Sequence, residues 1–150
     1  MSRRAFAALP LLFVAPLAAL AAAPHSSAAD HESARFGLCS GAHRVTCVVD
    51  GDTFWYRGDK IRLADINAPE VSEPGCAREA DLGRRATGRL LGWLNAGPFT
   101  LAPNGDGTGR DRDRYGRLLR TVTRGGASAG DALVGEGLAE RWTGHRRNWC

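Results

Sequence analysis

The spacing of apolar side chains in the first half of the chain predicts a set of short antiparallel strands. Val45 to Val49 is rich in β-branched residues and Thr53 to Arg57 in aromatic residues, and Ile61 to Ile66 follows after a turn at Gly58–Asp59. Short runs of this composition, separated by glycine and aspartate, are typical of a β-meander.

The second half predicts two helices and two further strands. Apolar and small side chains recur at helical spacing from about Arg78 to Asn95, and Gly97–Pro98 follows as a stop signal. Ser128 has the character of a helix cap, with Asp131 three residues later. The remaining predicted elements are strands over 99–102 and 118–123 and a short helix over 128–136.

This order of elements predicts an α+β fold that is mainly β. Short strands with two or three short helices inserted late match the size of a small five-stranded OB-fold barrel, in which the sheet closes on itself. We place this domain at residues 44–150 and expect a loose N-terminal tail over residues 30–43 before it.

Residues 1–29 have the pattern of a signal peptide. Arg3 and Arg4 precede an uncharged run from Ala5 to Ala23, and small residues follow up to Ala29. Two prolines interrupt the run and no stop-transfer flank follows it, which argues against a permanent transmembrane anchor. We therefore expect cleavage near Ala29 and a secreted or periplasmic protein that has no stable association with the membrane.

Composition and charge narrow the class of protein. A chain of 150 residues that is 43% hydrophobic and 24% charged fits one compact domain and excludes a multidomain enzyme, a collagen-like repeat and a disordered polyelectrolyte. The formal net charge is +4, from 19 arginines and one lysine against 16 acidic residues. Removing residues 1–29 leaves 18 basic and 16 acidic residues. Any basic surface on the mature domain must therefore be local.

Four cysteines in a small exported domain indicate disulfides. Three pairings are open, and we favour Cys39 with Cys47, which would close the entry to the first strand, and Cys76 with Cys150. The Cys76–Cys150 bond would close a long loop, and on the chain-entropy model such a bond stabilises the fold by about 4 kcal/mol. Zinc bound by Cys39, His43 and Cys47, with Cys76 as fourth ligand, is the alternative, but the paired Cys-x-x-Cys spacing of structural zinc sites is absent.

Residues that carry chemistry concentrate in two segments. The first combines the turn Asp50–Thr53 with the stretch Ile61–Glu70, and the second is Asp113–Arg117. The first segment places acidic, amide and guanidinium groups on neighbouring strands and their exit turn. These groups belong to Asp50, Asp52, Arg62, Asp65, Asn67 and Glu70.

Four ordered motifs resemble those of the staphylococcal-type thermonuclease family. They are Asp50–Thr53 (D-G-D-T), Arg62 through Pro69–Glu70, Asp113–Arg117 (D-R-Y-G-R), and Ala132–Ala139 (A-L-V-G-E-G-L-A). The resemblance covers roughly residues 45 to 142. Singly, each motif fits an ordinary turn or surface segment, but all four in family order are far more specific.

The resemblance implies a nuclease that hydrolyses phosphodiester bonds of DNA and RNA with little sequence preference and leaves a 3′-phosphate. We expect it to act as a monomer, with calcium as its cofactor. A hard cation polarises a phosphoryl oxygen and orients water, and calcium prefers carboxylate and carbonyl oxygens. By resemblance its ligands are Asp52, Asn67 and the carbonyl oxygen of Ala68, with Asp50 close behind.

The resemblance also assigns the catalytic roles. Arg62 and Arg117 would each present a planar fork of donors to the phosphate, which lysine cannot reproduce. Glu70 would accept a proton from the attacking water or orient it. Tyr115 and the neighbouring Arg114 lie inside a matching motif and are expected to contact substrate.

Asn67 departs from the family pattern, which has an aspartate ligand at this position. Its amide oxygen can coordinate a cation but carries no charge, so calcium should bind more weakly and another divalent ion could replace it. Asp65 lies two residues earlier and would share a strand face with Asn67 if the strand stays regular. We therefore expect Asp65 to restore the missing charge.

Other interpretations remain open. A non-catalytic nucleic-acid-binding OB-fold module with a weakened metal site has no need of a general base, so Glu70 argues against it. If the chain were an unrelated secreted adhesion or inhibitor domain, the four motifs would have to occur together by chance.

Two further motifs are present in the sequence. Gly126–Gly130 fits the nucleophile elbow of serine hydrolases, but the chain is too short for the sheet of those enzymes. A basic stretch could hold a phosphate chain, and it contains Arg141, Arg146 and Arg147 followed by Trp149.

Overall fold

A computed structural model describes residues 30–150 of the chain. The predicted signal peptide, residues 1–29, lies outside the described residues. Within residues 30–150, no helix combines the length and the apolar character needed to cross a membrane. The elements are β1 (Gly37–Leu38), β2 (Cys47–Val48), β3 (Thr53–Tyr56), β4 (Asp59–Leu63), β5 (Ile66–Asn67), α1 (Ala77–Asn95), β6 (Thr100–Pro103), β7 (Leu118–Arg124), β8 (Ala127–Ser128), α2 (Ala129–Gly135) and β9 (Glu140–Arg141).

Seven of these strands form one mixed sheet in the order β1-β2-β3-β4-β7-β6, with β8 beside β7, and β5 pairs with β9 separately. The predicted meander is confirmed, because β2, β3 and β4 are antiparallel neighbours, and β4 then pairs in parallel with β7. The prediction of an α+β fold that is mainly β, with two helices, is also confirmed.

The predicted closed barrel is not formed by strand pairing. In the described part of the chain, β1 and β6 stand at the two ends of the sheet and do not pair with each other. A single antiparallel bridge between Glu32 and Phe99 links the segments that precede these two strands. The outer strand β1 has only two residues, so it is too short to complete a closed ring of hydrogen bonds.

Residues 30–38 pack against the core instead of forming the loose tail that we predicted. Phe36 is 5% exposed, and its ring centroid lies 5.8 to 6.1 Å from those of three core aromatics, Phe54, Tyr56 and Phe99. Burying one aromatic side chain removes a large apolar area from water. Polar contacts add to this anchor, because Asn95 hydrogen-bonds the backbone of Phe36 and Asp30 accepts hydrogen bonds from Thr100 and Gly125.

Two local features differ from the predicted strands. The hairpin between β3 and β4 turns at Arg57 and Gly58, whose φ angles are 52° and 89°, one residue earlier than predicted. Paired positive φ angles match the twist of a two-residue hairpin loop. The strand predicted over 61–66 is interrupted by a bend at Ala64–Asp65, and Ile66 and Asn67 pair with β9 instead.

Both helices form where the pattern predicts them. The buried face of α1 includes Ala86, Leu90 and Leu94, and the helix ends at Asn95 before the predicted stop signal. At the start of α2, the hydroxyl of Ser128 accepts a hydrogen bond from the backbone N–H of Asp131 at 3.3 Å. Ser128 is therefore a helix cap, as predicted, and not a nucleophile.

Both predicted disulfides are confirmed. Cys39 and Cys47 are bonded with their Cα atoms 4.9 Å apart, and Cys76 and Cys150 with theirs 5.9 Å apart. Since residues 30–150 contain no free cysteine, no thiolate remains for the zinc site that was the alternative. The first bond joins the segment after β1 to β2, and the second joins the N-cap of α1 to Cys150.

Candidate active site

The turn Asp50–Thr53 connects β2 to β3 and is seated against α1. A Cβ atom on Gly51 would lie 2.5 Å from the Cβ of Ala86 and 2.8 Å from the Cβ of Ala68. Only glycine allows the backbone to approach these side chains so closely. The turn is thereby fixed to the helix and to the segment after β5, and Asp52 is held at 6% exposure.

Asp52 is a buried carboxylate whose oxygens are all engaged. Oδ1 accepts a hydrogen bond from the hydroxyl of Thr53 at 2.8 Å, and Oδ2 accepts one from the N–H of Ala68 at 3.0 Å and pairs with Arg62. Burial acts to raise the pKa of Asp52, but the charge and hydrogen bonds of Arg62 outweigh it and lower the pKa below its usual range. Arg62 also donates to the carbonyl of Ile66 at 3.2 Å.

Asp50 lies behind Asp52, and its Oδ1 accepts a hydrogen bond from the Asp52 N–H at 3.0 Å. Burial and then the charge of Asp52 raise the pKa of Asp50 to about 7, with a further contribution from the charge of Glu70. Asp52 is buried and Asp50 half-buried, whereas the side chain of Glu70 is 39% exposed, so only the first two carboxyl groups share a poorly solvated region. A bound cation would relieve their mutual repulsion.

Asp50 should make the stability of the metal-free protein fall as pH rises. Its pKa is raised in the fold, so between about pH 4 and pH 7 the folded state binds a proton that the unfolded state has released. This contribution is complete at low pH and is lost as pH rises through about 7. Urea unfolding with a chelator, at about pH 5 and about pH 8, should show a smaller loss for Asp50→Asn than for the wild type. Equal losses would contradict the assignment.

The side-chain contacts of Asn67 and Asp65 are both with residues outside this group. Asn67 is 4% exposed, follows Ile66 in β5, and donates from Nδ2 to Glu140 at 3.1 Å. The carboxylate of Asp65 instead accepts a hydrogen bond from Ser128 at 3.2 Å and lies 3.8 Å from the guanidinium of Arg141. The bend at Ala64–Asp65 breaks the regular strand on which their shared face depended.

Helix α1 holds the backbone around Glu70. A Cβ on Gly83 would lie 2.7 Å from the carbonyl oxygen of Glu70 and 3.0 Å from that of Pro69, so the helix packs directly on this backbone. Glu79 accepts a hydrogen bond from the N–H of Glu70 at 3.2 Å. Neither helix residue was among the predicted site residues. A glycine inside a helix did not identify Gly83 by itself, because Gly88 and Gly92 lie in the same helix and a Cβ on either would have nothing within 4 Å.

The segment Asp113–Arg117 folds as a tight turn that presents its arginine. Oδ1 of Asp113 accepts hydrogen bonds from the N–H groups of Tyr115 and Arg117 at 2.9 and 3.0 Å, and Oδ2 accepts one from Nε of Arg117 at 2.7 Å. Burial opposes the effect, but these bonds lower the pKa of Asp113. Gly116 supplies the positive φ of 76° that the turn requires.

An open cleft of about 400 Å³ brings the distant segments together. Arg62 from β4 and Arg117 from the turn before β7 line the same cavity. Glu70 is joined to it through Arg146, a lining residue that donates to Glu70 at 2.9 Å. Other lining residues include Asn104, Asp106, Arg110, Arg114, Tyr115 and Trp142.

A larger depression of about 570 Å³ lies elsewhere, beside residues 33–36 and Asn95, and has no carboxylate or histidine in its lining.

Two exposed aromatic rings lie in this cleft beside the arginines. Tyr115 is 64% exposed, with the guanidinium carbons of Arg114 and Arg117 at 4.8 and 5.4 Å from its ring centroid. Trp142 is 42% exposed, and the guanidinium carbon of Arg62 lies 5.7 Å from its ring. Exposed rings beside cationic groups offer stacking surfaces for bases.

The residues that the resemblance assigns to a cation carry oxygen donors with the chemistry of a hard-cation site. Asp50 and Asp52 contribute carboxylates, Asn67 an amide oxygen and Ala68 a backbone carbonyl, which are the ligand types that calcium prefers. Burial, and after it the charge of Asp52, raises the pKa of Asp50 to about 7, so a cation beside this group would favour its ionised form. In residues 30–150 no three side chains of the His, Cys, Asp and Glu types form a metal-binding group, so a cation here would rely partly on neutral oxygens.

A comparison with known protein families identifies the family of this chain. Residues 60–148 match the family described as staphylococcal nuclease homologue, which is more than half of the chain. The chain therefore belongs to the staphylococcal nuclease homologue family. The match includes Arg62, Glu70 and Asp113–Arg117, whereas the turn Asp50–Thr53 precedes it.

Two curated relatives come from Bacillus subtilis (strain 168). SPbeta prophage-derived endonuclease YokF is 37% identical over 95 residues, which is 61% of this chain and 31% of that protein. Endonuclease YncB is 35% identical over 95 residues, which is 61% of this chain and 43% of that protein. The chain thus spans less than half the length of either relative.

Proposed function

We propose that this protein is a calcium-assisted nuclease that hydrolyses phosphodiester bonds of DNA and RNA with little sequence preference. The observation that carries the proposal is the cleft in which Arg62 and Arg117, from separate segments of the chain, face one cavity beside Glu70. Membership of the staphylococcal nuclease homologue family supports it, as do the two relatives named as endonucleases.

The two arginines stabilise the phosphorane-like transition state. Hydrolysis adds a water oxygen to an anionic phosphorus centre, and charge accumulates on the equatorial oxygens. Asp52 and the carbonyl of Ile66 hold Arg62, and Asp113 holds Arg117, so both planar forks are oriented before substrate arrives. Preorganised donors need little rearrangement at the moment of reaction.

Glu70 receives the proton of the attacking water, and its position depends on α1 through Gly83 and Glu79. The bond from phosphorus to the 5′ oxygen of the next nucleotide breaks, that oxygen takes a proton from solvent water, and the product carries a 3′-phosphate. Tyr115 and Trp142 contact the bases by stacking, which tolerates any base and gives little sequence preference. Arg114 adds a contact to the backbone.

A calcium ion, when bound, polarises a phosphoryl oxygen and orients water. Asp52, Asn67 and the carbonyl of Ala68 would hold it, with Asp50 adding negative charge behind them. Because Asn67 is neutral, we expect weaker binding than an aspartate would give and a broader choice of divalent ion.

The protein works outside the cytoplasm. Disulfides persist in oxidising compartments, and all four cysteines in residues 30–150 are paired. The signal-peptide pattern of residues 1–29 supports the same location.

A non-catalytic nucleic-acid-binding module is the second candidate. Two observations favour it: Glu70 is engaged by Arg146, and the neutral Asn67 lowers the charge available to a metal. A binder would retain nucleic acid in the same cleft without cutting it.

One assay separates the two functions. Labelled single-stranded DNA and RNA are incubated with the protein in calcium, in magnesium and in a chelator, and both cleavage and retention on a native gel are measured. We expect cleavage with calcium that the chelator abolishes. Cleavage at the same rate in calcium and in chelator would refute the metal-assisted mechanism. Retention of the nucleic acid on the gel without cleavage in either metal would instead favour the binding module.

A further inference from the structure

We propose that Arg146 is a third phosphate-binding arginine of the cleft and that the Cys76–Cys150 disulfide holds it there. The proposal rests on the proposed function, since it concerns the same cleft and the same class of substrate. It assigns one specific role within the basic stretch that follows β9.

The structure separates the three arginines of that stretch. Arg141 pairs with Asp131 and lies 3.8 Å from Asp65, so its charge is directed towards α2. The guanidinium carbon of Arg147 lies 5.2 Å from the ring centroid of Trp149, outside the cleft lining. Of these three, Arg146 alone lines the cavity that also contains Arg62 and Arg117.

Arg146 retains donors for a phosphate while it contacts Glu70. Its Nη1 donates to Oε1 of Glu70 at 2.9 Å, and this bond uses one of the five N–H donors of a guanidinium. The side chain is 61% exposed, so the remaining donors are accessible to an anion that enters the cleft. A guanidinium that bridges in this way would hold a phosphate beside Glu70, the group that receives the proton of the attacking water.

The segment that carries Arg146, residues 143–150, is fixed at both ends, and we call it the hook. Before it, the N–H of Trp142 donates to the carbonyl of Asp65 at 2.9 Å. Inside it, the N–H of Arg147 donates to Glu140 at 2.7 Å, and Trp149 is 7% exposed. The disulfide from Cys150 then closes the far end.

The disulfide connects the hook to the helix that positions Glu70. Cys76 is the N-cap of α1, and Glu79 in the first turn of that helix accepts the hydrogen bond from the Glu70 N–H. The side chains of Arg146 and Glu70 are therefore anchored to one covalently closed unit. Without the bond, Arg146 would have to be ordered anew each time a phosphate binds, which weakens binding.

Arg147→Ala is a matched control for Arg146→Ala, because both changes remove one positive charge from the hook. We expect Arg146→Ala to raise the Kd for single-stranded DNA, measured in chelator, by about tenfold, because one charge-assisted contact is lost. The KM measured in calcium should rise by the same factor, and kcat should fall far less. Arg146→Ala should also lower the salt slope of binding to single-stranded DNA by about 0.7, and Arg146→Lys should restore part of the affinity. Arg147→Ala should stay within about twofold of wild type.

The disulfide is tested with the pair Cys76→Ser/Cys150→Ser, against Cys39→Ser/Cys47→Ser as control. Loss of the 76–150 bond should raise KM as Arg146→Ala does, and adding Arg146→Ala should then have little further effect. Equal Kd and KM for Arg146→Ala and Arg147→Ala would overturn the proposal even if the protein is a nuclease. Failure of the wild type to cleave would instead refute the proposed function, while the Kd comparison in chelator still decides the role of Arg146.

Discussion

Glu70→Gln should lower kcat by about a hundredfold to ten-thousandfold while leaving KM nearly unchanged, the range typical of a lost general base. Glutamine keeps the shape of the side chain and its oxygen can still accept the hydrogen bond from Arg146, so the local structure should persist. What is lost is the ability to receive a proton from water. The measurement is the rate of single-stranded DNA cleavage at saturating calcium.

Glu73→Gln provides the control for this change. Glu73 is exposed, lies three residues from Glu70 in the same loop, and loses the same charge on substitution. We expect it to cleave at the wild-type rate. A kcat for Glu70→Gln within about threefold of that control would remove Glu70 from the mechanism and leave catalysis to the arginines and the metal.

Arg62→Ala should destabilise the fold by about 3–5 kcal/mol, as well as abolish most of the activity. The side chains of Asp52 and Arg62 are 9% and 11% exposed, so removing the guanidinium leaves a buried carboxylate without its counter-charge. The free energy of unfolding in urea, with a chelator present, gives this effect directly. Loss of a transition-state contact should act on kcat in addition.

Two further variants test whether the cost comes from the unpaired charge. Arg84→Ala breaks an ion pair with Asp81 in which the two side chains are 65% and 59% exposed, so we expect a loss below about 1 kcal/mol. The double variant Asp52→Asn/Arg62→Met removes both charges and should recover much of the stability lost in Arg62→Ala. Equal losses for Arg62→Ala and Arg84→Ala would show that the buried pair has no special role in stability.

The elements that the sequence predicts well are those set by local patterns. The meander, helix α1 from Ala77 to Asn95 and the Ser128 cap each depend on residues within a few positions of one another. The even number of cysteines indicated disulfides but left three pairings open, and the pairing that we favoured is the one observed. The convergence of Arg62 and Arg117 was expected only through the resemblance to a known family.

The features that the sequence did not predict depend on contacts between distant segments. Nothing near Phe36 indicates that its ring will reach Phe54, or that this contact will order the preceding residues. The bend at Ala64–Asp65 takes the side chain of Asp65 off the strand face that it was predicted to share with Asn67. The alternation of apolar and polar residues in a strand does not predict such a bend. The positions of Gly83 and Arg146 become informative only when α1 and the hook are seen against Glu70.

The covalent link between Cys76 and Cys150 also bears on the safety of the cell that makes this protein. A newly made chain in a reducing cytoplasm would lack the disulfide. On the proposal above, its Kd for nucleic acid would then be about tenfold higher. The RNA and DNA of the producing cell would therefore be bound less tightly while the protein is being made. Full affinity for nucleic acid would be reached only after the disulfide has formed in an oxidising compartment.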